Sequence, residues 1–395
     1  MKKVKVALVG IGGYGINLVV EILNNSNPLI DLVGVVEPYP ERCSRYGELL
    51  ERKIPVYSNM DELYKNHEVE LTAISTPIFL HATQMIKALE HGSNVLCEKP
   101  LCSDEQDIDK IKDAQKKSGK FVYIGYQWSY SEAITRLKKD VLDNKFGSLK
   151  EMKTLILRPR NLEYFSRGVG WAGKIKTANG DLVYDSVANN SAAHYLFNMM
   201  YLMGEDGKAA EPLNISAELL RGNAIENFDT SKINFNFENG AKACFIAAHP
   251  VNREIEPIFE YQFEKGTVYY SCDPIDDSYG LMPKEYTEYG LIVAFMNDGS
   301  KVVYGDPMKD SCKKMHDAVK AIADGMTGDG PCGLEATAVH TRLINFIQKN
   351  FAIYDIKDEV LKEENGYLYA DGLFEASVSC YKDTDESIAC FGKNN

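Results

Sequence analysis

Residues 4–23, VKVALVGIGGYGINLVVEIL, leave the chain little choice of opening fold. The β-branched apolar run over 4–9 predicts a buried strand. It stops at Gly10-Ile11-Gly12-Gly13-Tyr14-Gly15, which contains the spacing G-x-G-x-x-G, and an apolar helical pattern follows. Gly10 permits a sharp exit from the strand. Gly12 lacks a Cβ, so a pyrophosphate can approach the backbone, and Gly15 lets the helix sit tightly on the strand. The helix start then offers unbonded N–H groups and the positive end of its dipole to the phosphates. A second apolar strand over 32–36 ends in Glu37, about 20 residues past the turn, where a dinucleotide unit places the carboxylate for the ribose hydroxyls. Glycine turns are common. It is the strand, turn, helix and acid in this order that separates Glu37 from an ordinary solvated loop acid.

The next hundred residues repeat the alternation. Helices are predicted over 41–51, 60–66 and 80–91, and a further helix runs from a Ser103 cap to 117. Strands are predicted over 54–57, 70–75, 94–97 and 121–124. Met85, Ile86 and Leu89 fall at helical spacing, and Gly92 closes their helix. Such alternation predicts a doubly wound parallel sheet with helices on both faces and its ligand at the C-terminal strand ends. The pattern changes near Gly125. After an amphipathic helix over 132–144, strands dominate: 149–157, 213–220, 233–237, 241–248, 258–263, 267–271 and 301–304. Asn239-Gly240 and Lys265-Gly266 read as hairpin turns. One helix over 191–202 interrupts these strands, and two more cover 313–326 and 334–349. We therefore expect a Rossmann domain over 1–127 and a substrate-binding and oligomerisation α+β domain over 128–395, built on an open, mainly antiparallel sheet with helices on one face. Residues 351–395 carry no legible pattern.

A chain of 395 residues is long for one domain. Its net charge of −13 argues against a nucleic-acid partner. No apolar run has membrane-spanning length, and Met1-Lys2-Lys3 leads straight into a strand, so neither a membrane partner nor a secretory leader is expected. The nine cysteines are scattered and include no C-x-x-C, which predicts reduced thiols, a cytoplasmic location and no metal cluster.

Three further features carry chemistry. Glu98-Lys99-Pro100 follows a strand directly, which sets Lys99 at the sheet edge where a nicotinamide is expected. A lysine there can hydrogen-bond an oxygen and stabilise developing negative charge, although most lysines are simply surface residues. His194, on the helix predicted between Asn190 and Asn198, has the side chain suited to proton transfer near neutral pH; taken alone, patterning favours a structural histidine. Gly125-Tyr126-Gln127-Trp128 ends the last strand of the alternating region, where Gln127 can reach cofactor or substrate or be a polar loop residue.

In order, GIGGYG, VVEP, STPIFLH, VLCEKPLC, GYQW and a histidine in the second domain resemble the family of glucose-fructose oxidoreductase, inositol dehydrogenase and related sugar dehydrogenases, Gfo/Idh/MocA. The resemblance spans about residues 4–350, and the EKP element is its most specific part. It implies NAD or NADP as cofactor, held by Gly10, Gly12, Gly13, Tyr14, Gly15, Glu37, Thr76, Pro77, His81, Glu98, Lys99 and Gln127. Lys99 is then the active-site lysine and His194 the proton acceptor. The substrate is a small carbohydrate, and homodimers or homotetramers form through the outer face of the second sheet. Many family dehydrogenases carry an aspartate four residues before the histidine, where this chain has Asn190. Asn190 is favoured as the counterpart because i, i+4 spacing shares a helix face, while Asp185 is the alternative through a short insertion. Over 158–171, Arg158, Arg160, Arg167 and Trp171 suit a carbohydrate with an acidic substituent, or form an ordinary exposed loop. Arg42 can approach a 2′-phosphate, but Glu37 would repel it, which favours NAD. The resemblance leaves three outcomes: net oxidation of a hydroxyl, glycoside cleavage through transient oxidation and elimination, or a non-catalytic sensor of sugar and NAD.

Overall fold

The computed structural model describes residues 2–166, 170–328 and 330–393, and all structural statements concern those residues. The chain divides into two compact units, Met1–Tyr130 with Asp310–Thr341, and Ser131–Lys309 with Arg342–Asn395.

The first unit holds six strands, β1 Val4–Val9, β2 Ile30–Val36, β3 Val56–Tyr57, β4 Leu71–Ile74, β5 Asn94–Cys97 and β6 Val122–Ile124. They pair in parallel in the order β3-β2-β1-β4-β5-β6. β4, β5 and β6 are buried throughout, as a parallel sheet covered by helices on both faces requires. The helix Gly15–Leu23 buries Leu18, Val19, Ile22 and Leu23, and His81–Glu90 buries Ala82, Met85, Ala88 and Leu89. The order reverses between β1 and β4, which opens a crevice beyond their C-terminal ends.

Two expected helices differ. Ser103 does not cap a helix: the Asp104 side chain accepts from Gln106 N, and Asp104 O accepts from Asp107 N, so a turn intervenes and the helix is Asp107–Ser118. The helix expected over 41–51 is a 3₁₀ turn, Pro40–Arg42, and a helix, Tyr46–Glu51, separated at Cys43, whose backbone is extended.

In the second unit lie β7 Leu149–Leu157, β8 Leu213–Arg221, β9 Thr230–Asn236, β10 Lys242–Ala248, β11 Ile255–Phe263, β12 Gly266–Ser271, β13 Ile292–Met296, β14 Lys301–Gly305 and β15 Ile353–Asp355. They form one sheet in the order β14-β13-β12-β11-β7-β10-β9-β8-β15. Only β7 with β10 and β8 with β15 are parallel, so the sheet is mixed and mostly antiparallel. The helix Ala193–Met203 packs on β7.

The tail that lacked a pattern is ordered. After β15, β16 Leu361–Glu364 and β17 Tyr367–Ala370 form a hairpin, and the helix Leu373–Lys382 follows. Phe374, Val378 and Tyr381 of that helix join Leu155, Leu157 and Ile246 in one buried cluster. A ten-residue helix is marginal alone, and burial worth roughly 1.5–3 kcal/mol per large apolar side chain holds it on the sheet.

Candidate functional site

In the first unit the site is built from strand ends. Gly10 leaves β1 with φ +83°, and a Cβ there would lie 2.6 Å from Ser75 O. A Cβ on Gly15 would lie 2.4 Å from Gly10 O, so the turn closes only without one. At Gly12 and Gly13 a Cβ would meet nothing within 4 Å. The turn is therefore tight at its two ends and open at its centre, which fits a pyrophosphate approaching the backbone there.

Glu37, at the end of β2, is half-buried and faces this turn. Its Oε2 accepts from Ile11 N at 3.1 Å and its Oε1 from Tyr39 N at 3.1 Å. A carboxylate has about four acceptor sites, so two remain for ribose hydroxyls. Arg42 lies over the Tyr39 ring at 4.4 Å.

At the end of β4, the Thr76 hydroxyl donates to Gln84 Oε1 at 2.6 Å, and Pro77 is half-buried. His81 is fully buried, with Nδ1 2.8 Å from Pro100 O and Nε2 3.0 Å from Thr76 O. It joins the loop after β4 to the loop after β5. Burial pulls its pKa below the ordinary histidine value, against the two carbonyls that raise it. Glu98 is buried, while Lys99 is half-buried. Gln127 accepts from the Tyr14 hydroxyl at 3.1 Å, tying the end of β6 to the glycine turn.

The sequence reading missed Lys314 in the helix Lys313–Ala323. It has no exposed surface and sits 2.5 Å from Glu98 Oε1. The signal was present: Lys314 shares the apolar face of its helix with the buried Ala318 and Ala321.

In the second unit, Val187–Ser191 form a π turn ahead of the helix Ala193–Met203. Asn190 and His194 therefore do not share one regular α-helix, and the i, i+4 argument for Asn190 is lost. Asp185 and Asn190 instead touch. Asn190 Nδ2 donates to Asp185 Oδ1 at 2.7 Å, and Gly173 N donates to Asp185 Oδ2 at 2.6 Å. Asp185 is buried, and Asn190 and His194 are half-buried. A cavity beside Asp185 is lined by Tyr164, Phe165, Ser186, Asp229 and His249.

Arg158 follows β7, and its guanidinium meets Glu256 with two bonds of 2.8 and 2.6 Å. Such a bidentate, charge-assisted pair fixes the guanidinium plane. Burial opposes the Arg158 charge; the hydrogen bonds that it donates to Glu256 and to Tyr195, the residue after His194, hold its pKa above the ordinary range. Arg160 stacks over the Tyr164 ring at 4.6 Å, and Trp171 is half-buried. Arg167 lies outside the described residues. Lys99 belongs to the first unit and His194 to the second.

A family model described as "Oxidoreductase family, NAD-binding Rossmann fold" matches residues 4–126. Over that first domain the chain is similar to the Gfo/Idh/MocA family. Among curated relatives, a 2,7-anhydro-N-acetylneuraminate hydratase of Mediterraneibacter gnavus is 32% identical over 149 residues, 38% of each chain. An uncharacterized oxidoreductase of Streptococcus pneumoniae is 29% identical over 202 residues, 51% of this chain and 50% of the relative. An inositol 2-dehydrogenase of an Arthrobacter strain is 33% identical over 93 residues, 23% of this chain and 28% of the relative. The chain thus spans half or less of the length of these relatives. Among solved structures, the WlbA dehydrogenase of Bordetella pertussis in complex with NADH and UDP-GlcNAcA superposes with a TM-score of 0.69 at 18% identity, over 88% of this chain and 96% of that one. An aldose-aldose oxidoreductase of Caulobacter crescentus gives 0.67 at 20% identity, over 88% and 97%. At these identities the solved structures share the fold.

The glycine geometry separates stability from cofactor binding. Gly15→Ala is expected to lower unfolding stability by about 1–3 kcal/mol, because its Cβ overlaps Gly10 O. Gly12→Ala is expected to keep wild-type stability and weaken NAD binding about tenfold or more, about 1.4 kcal/mol. Thermal unfolding and calorimetric NAD titration of both variants check this.

Proposed function

We propose that this protein is an NAD-dependent oxidoreductase that oxidises a hydroxyl of a sugar, polyol or glycoside. What carries the reading is that the open-centred glycine turn, Glu37, Thr76 and Glu98-Lys99 all stand at C-terminal ends of β1, β2, β4 and β5, the edge where a doubly wound sheet binds its ligand. In this reading Gly10 to Gly15 hold the pyrophosphate, Glu37 the ribose, and Thr76, Pro77, His81, Glu98 and Gln127 the nicotinamide half. Bound NAD supplies the hydride acceptor. Lys99 donates to the substrate oxygen and stabilises its negative charge, and His194 takes the hydroxyl proton as the carbinol hydride leaves. Asp185 and Asn190 orient the substrate together through their hydrogen bond. Arg160 and Trp171 offer charge and an aromatic face to the sugar. Arg158 is held by Glu256 and serves as a fixed wall of that site.

One comparison favours a second reading. In it the chain oxidises a sugar hydroxyl transiently, cleaves the glycosidic bond by elimination and takes the hydride back, with no net NADH; that the Mediterraneibacter gnavus relative is named a hydratase supports it. A screen of sugars, uronic acids and glycosides with NAD and with NADP separates these outcomes, if reduced-nicotinamide absorbance is followed alongside product analysis. Accumulating NADH supports the first reading. Product without NADH supports the second, and tight binding without any hydride transfer would leave only a sensor.

Glu37 sets the cofactor preference, since its carboxylate would repel a 2′-phosphate. Glu37→Ser is expected to weaken NAD binding about tenfold and improve NADP binding, as measured by parallel titrations. We also propose a cytoplasmic location, supported by nine free cysteines, seven of them buried. A homodimer or homotetramer built on the second sheet would use strands toward β14, because the helix Leu373–Lys382 packs on β7 and β10.

A further inference from the structure

The buried ammonium of Lys314 has one ion-pair partner and two hydrogen-bond acceptors. Glu98 Oε1 is at 2.5 Å, the Tyr14 hydroxyl oxygen at 3.3 Å and the Gly125 carbonyl at 3.4 Å. These three partners come from the strand end before Lys99, the glycine turn and the end of β6. Burial opposes the charge, but Glu98 and Tyr14 outweigh it and hold Lys314 above the ordinary lysine range. A buried ion pair is costly unless its geometry is fixed, and its use in other proteins is often to specify an arrangement.

We propose that Lys314 is a positioning residue for Lys99: it matches the charge of Glu98, the residue before Lys99, and it ties the glycine turn to the same strand end through Tyr14. This rests on the role given to Lys99 under the proposed function. Around the pair, Cys97 and Lys99 flank Glu98 in the chain, and the His81 ring senses both Glu98 and Lys99. Tyr14 and Cys312 face it from the glycine turn and the helix start. If Lys314 is removed, the Glu98 carboxylate loses that cation, and Lys99 is the next residue in the chain. Lys99 then holds its proton more tightly and is drawn from the reacting oxygen.

The test is the titration of Lys99 itself, read by NMR on protein whose lysines carry ¹³C-methyl groups, with the Lys99 signal assigned by its loss in Lys99→Arg. In Lys314→Met the Lys99 pKa is expected to rise by about one unit, and in Lys314→Met/Glu98→Gln to return near the wild-type value. Glu98→Gln alone keeps the lysine stem in place and reverses the sign, because an unmatched Lys314 cation lowers the Lys99 pKa. That variant decides the question should Lys314→Met fail to fold. An unchanged Lys99 titration in either single variant, or a double variant no closer to wild type than Lys314→Met, overturns the proposal. The titration needs neither cofactor nor substrate. A wild-type protein without turnover would therefore sink the proposed function and leave this measurement standing.

Discussion

Replacing Lys99 by methionine is expected to lower kcat about 10²–10³-fold or more while NAD still binds. Methionine keeps an unbranched chain of similar reach and removes only the ammonium. The pyrophosphate and ribose contacts assigned to the glycine turn and Glu37 do not involve Lys99, so affinity for NAD should change little. In the role proposed for Lys99, what is lost is the donor to the oxygen on which negative charge develops, an interaction that strengthens towards the transition state. The loss should therefore fall on kcat and kcat/KM together, with KM much less affected. Steady-state kinetics on the best substrate of the screen, with calorimetric NAD titration of the same variant, make the measurement. Turnover near the wild-type rate would remove Lys99 from the chemistry.

Much of the first unit was legible because its signals are local. An apolar run stops at a glycine turn, and an acid follows at the right distance. Each helix buries a stripe at helical spacing, as Met85 and Leu89 do in theirs. What was not legible depends on long-range contacts. Lys314 stands on the apolar face of its helix, but its partner appears only when the fold places it 2.5 Å from Glu98, 216 residues earlier in the chain. Ser103 had the right chemistry for a cap, and Asp104 next to it took the turn instead. In the tail, Asn365-Gly366 was a readable hairpin signal, with φ +53° and +77°, between strands too short and polar to stand out. The helix Leu373–Lys382 owes its place to the sheet face it covers, which no local pattern reveals. In the candidate substrate region, spacing favoured Asn190 over Asp185 as though they were rivals. The π turn brings them into one hydrogen-bonded pair.

That pair gives the second large effect. Asp185→Asn is expected to lower kcat about 10²-fold and Asn190→Ala only about tenfold, if Asp185 supplies the charge that supports proton transfer and Asn190 carries it towards substrate. The geometry explains the asymmetry. Asp185 accepts from Gly173 N through one oxygen and from Asn190 Nδ2 through the other. An asparagine there keeps one acceptor and turns an NH₂ group towards a donor, which in a buried position costs about 1–3 kcal/mol of stability as well as the charge. Asn190 is half-buried, so its truncation leaves Asp185 with its Gly173 bond and access to water. Thermal unfolding separates the stability loss from the kinetic one, since Asp185→Asn assayed well below its midpoint reports chemistry alone. Two side chains acting as a unit should also be non-additive, with the double variant no worse than Asp185→Asn alone. If Asp185→Asn turned over at the wild-type rate while Asn190→Ala did not, the amide would carry the function by itself and the carboxylate would be no more than its support.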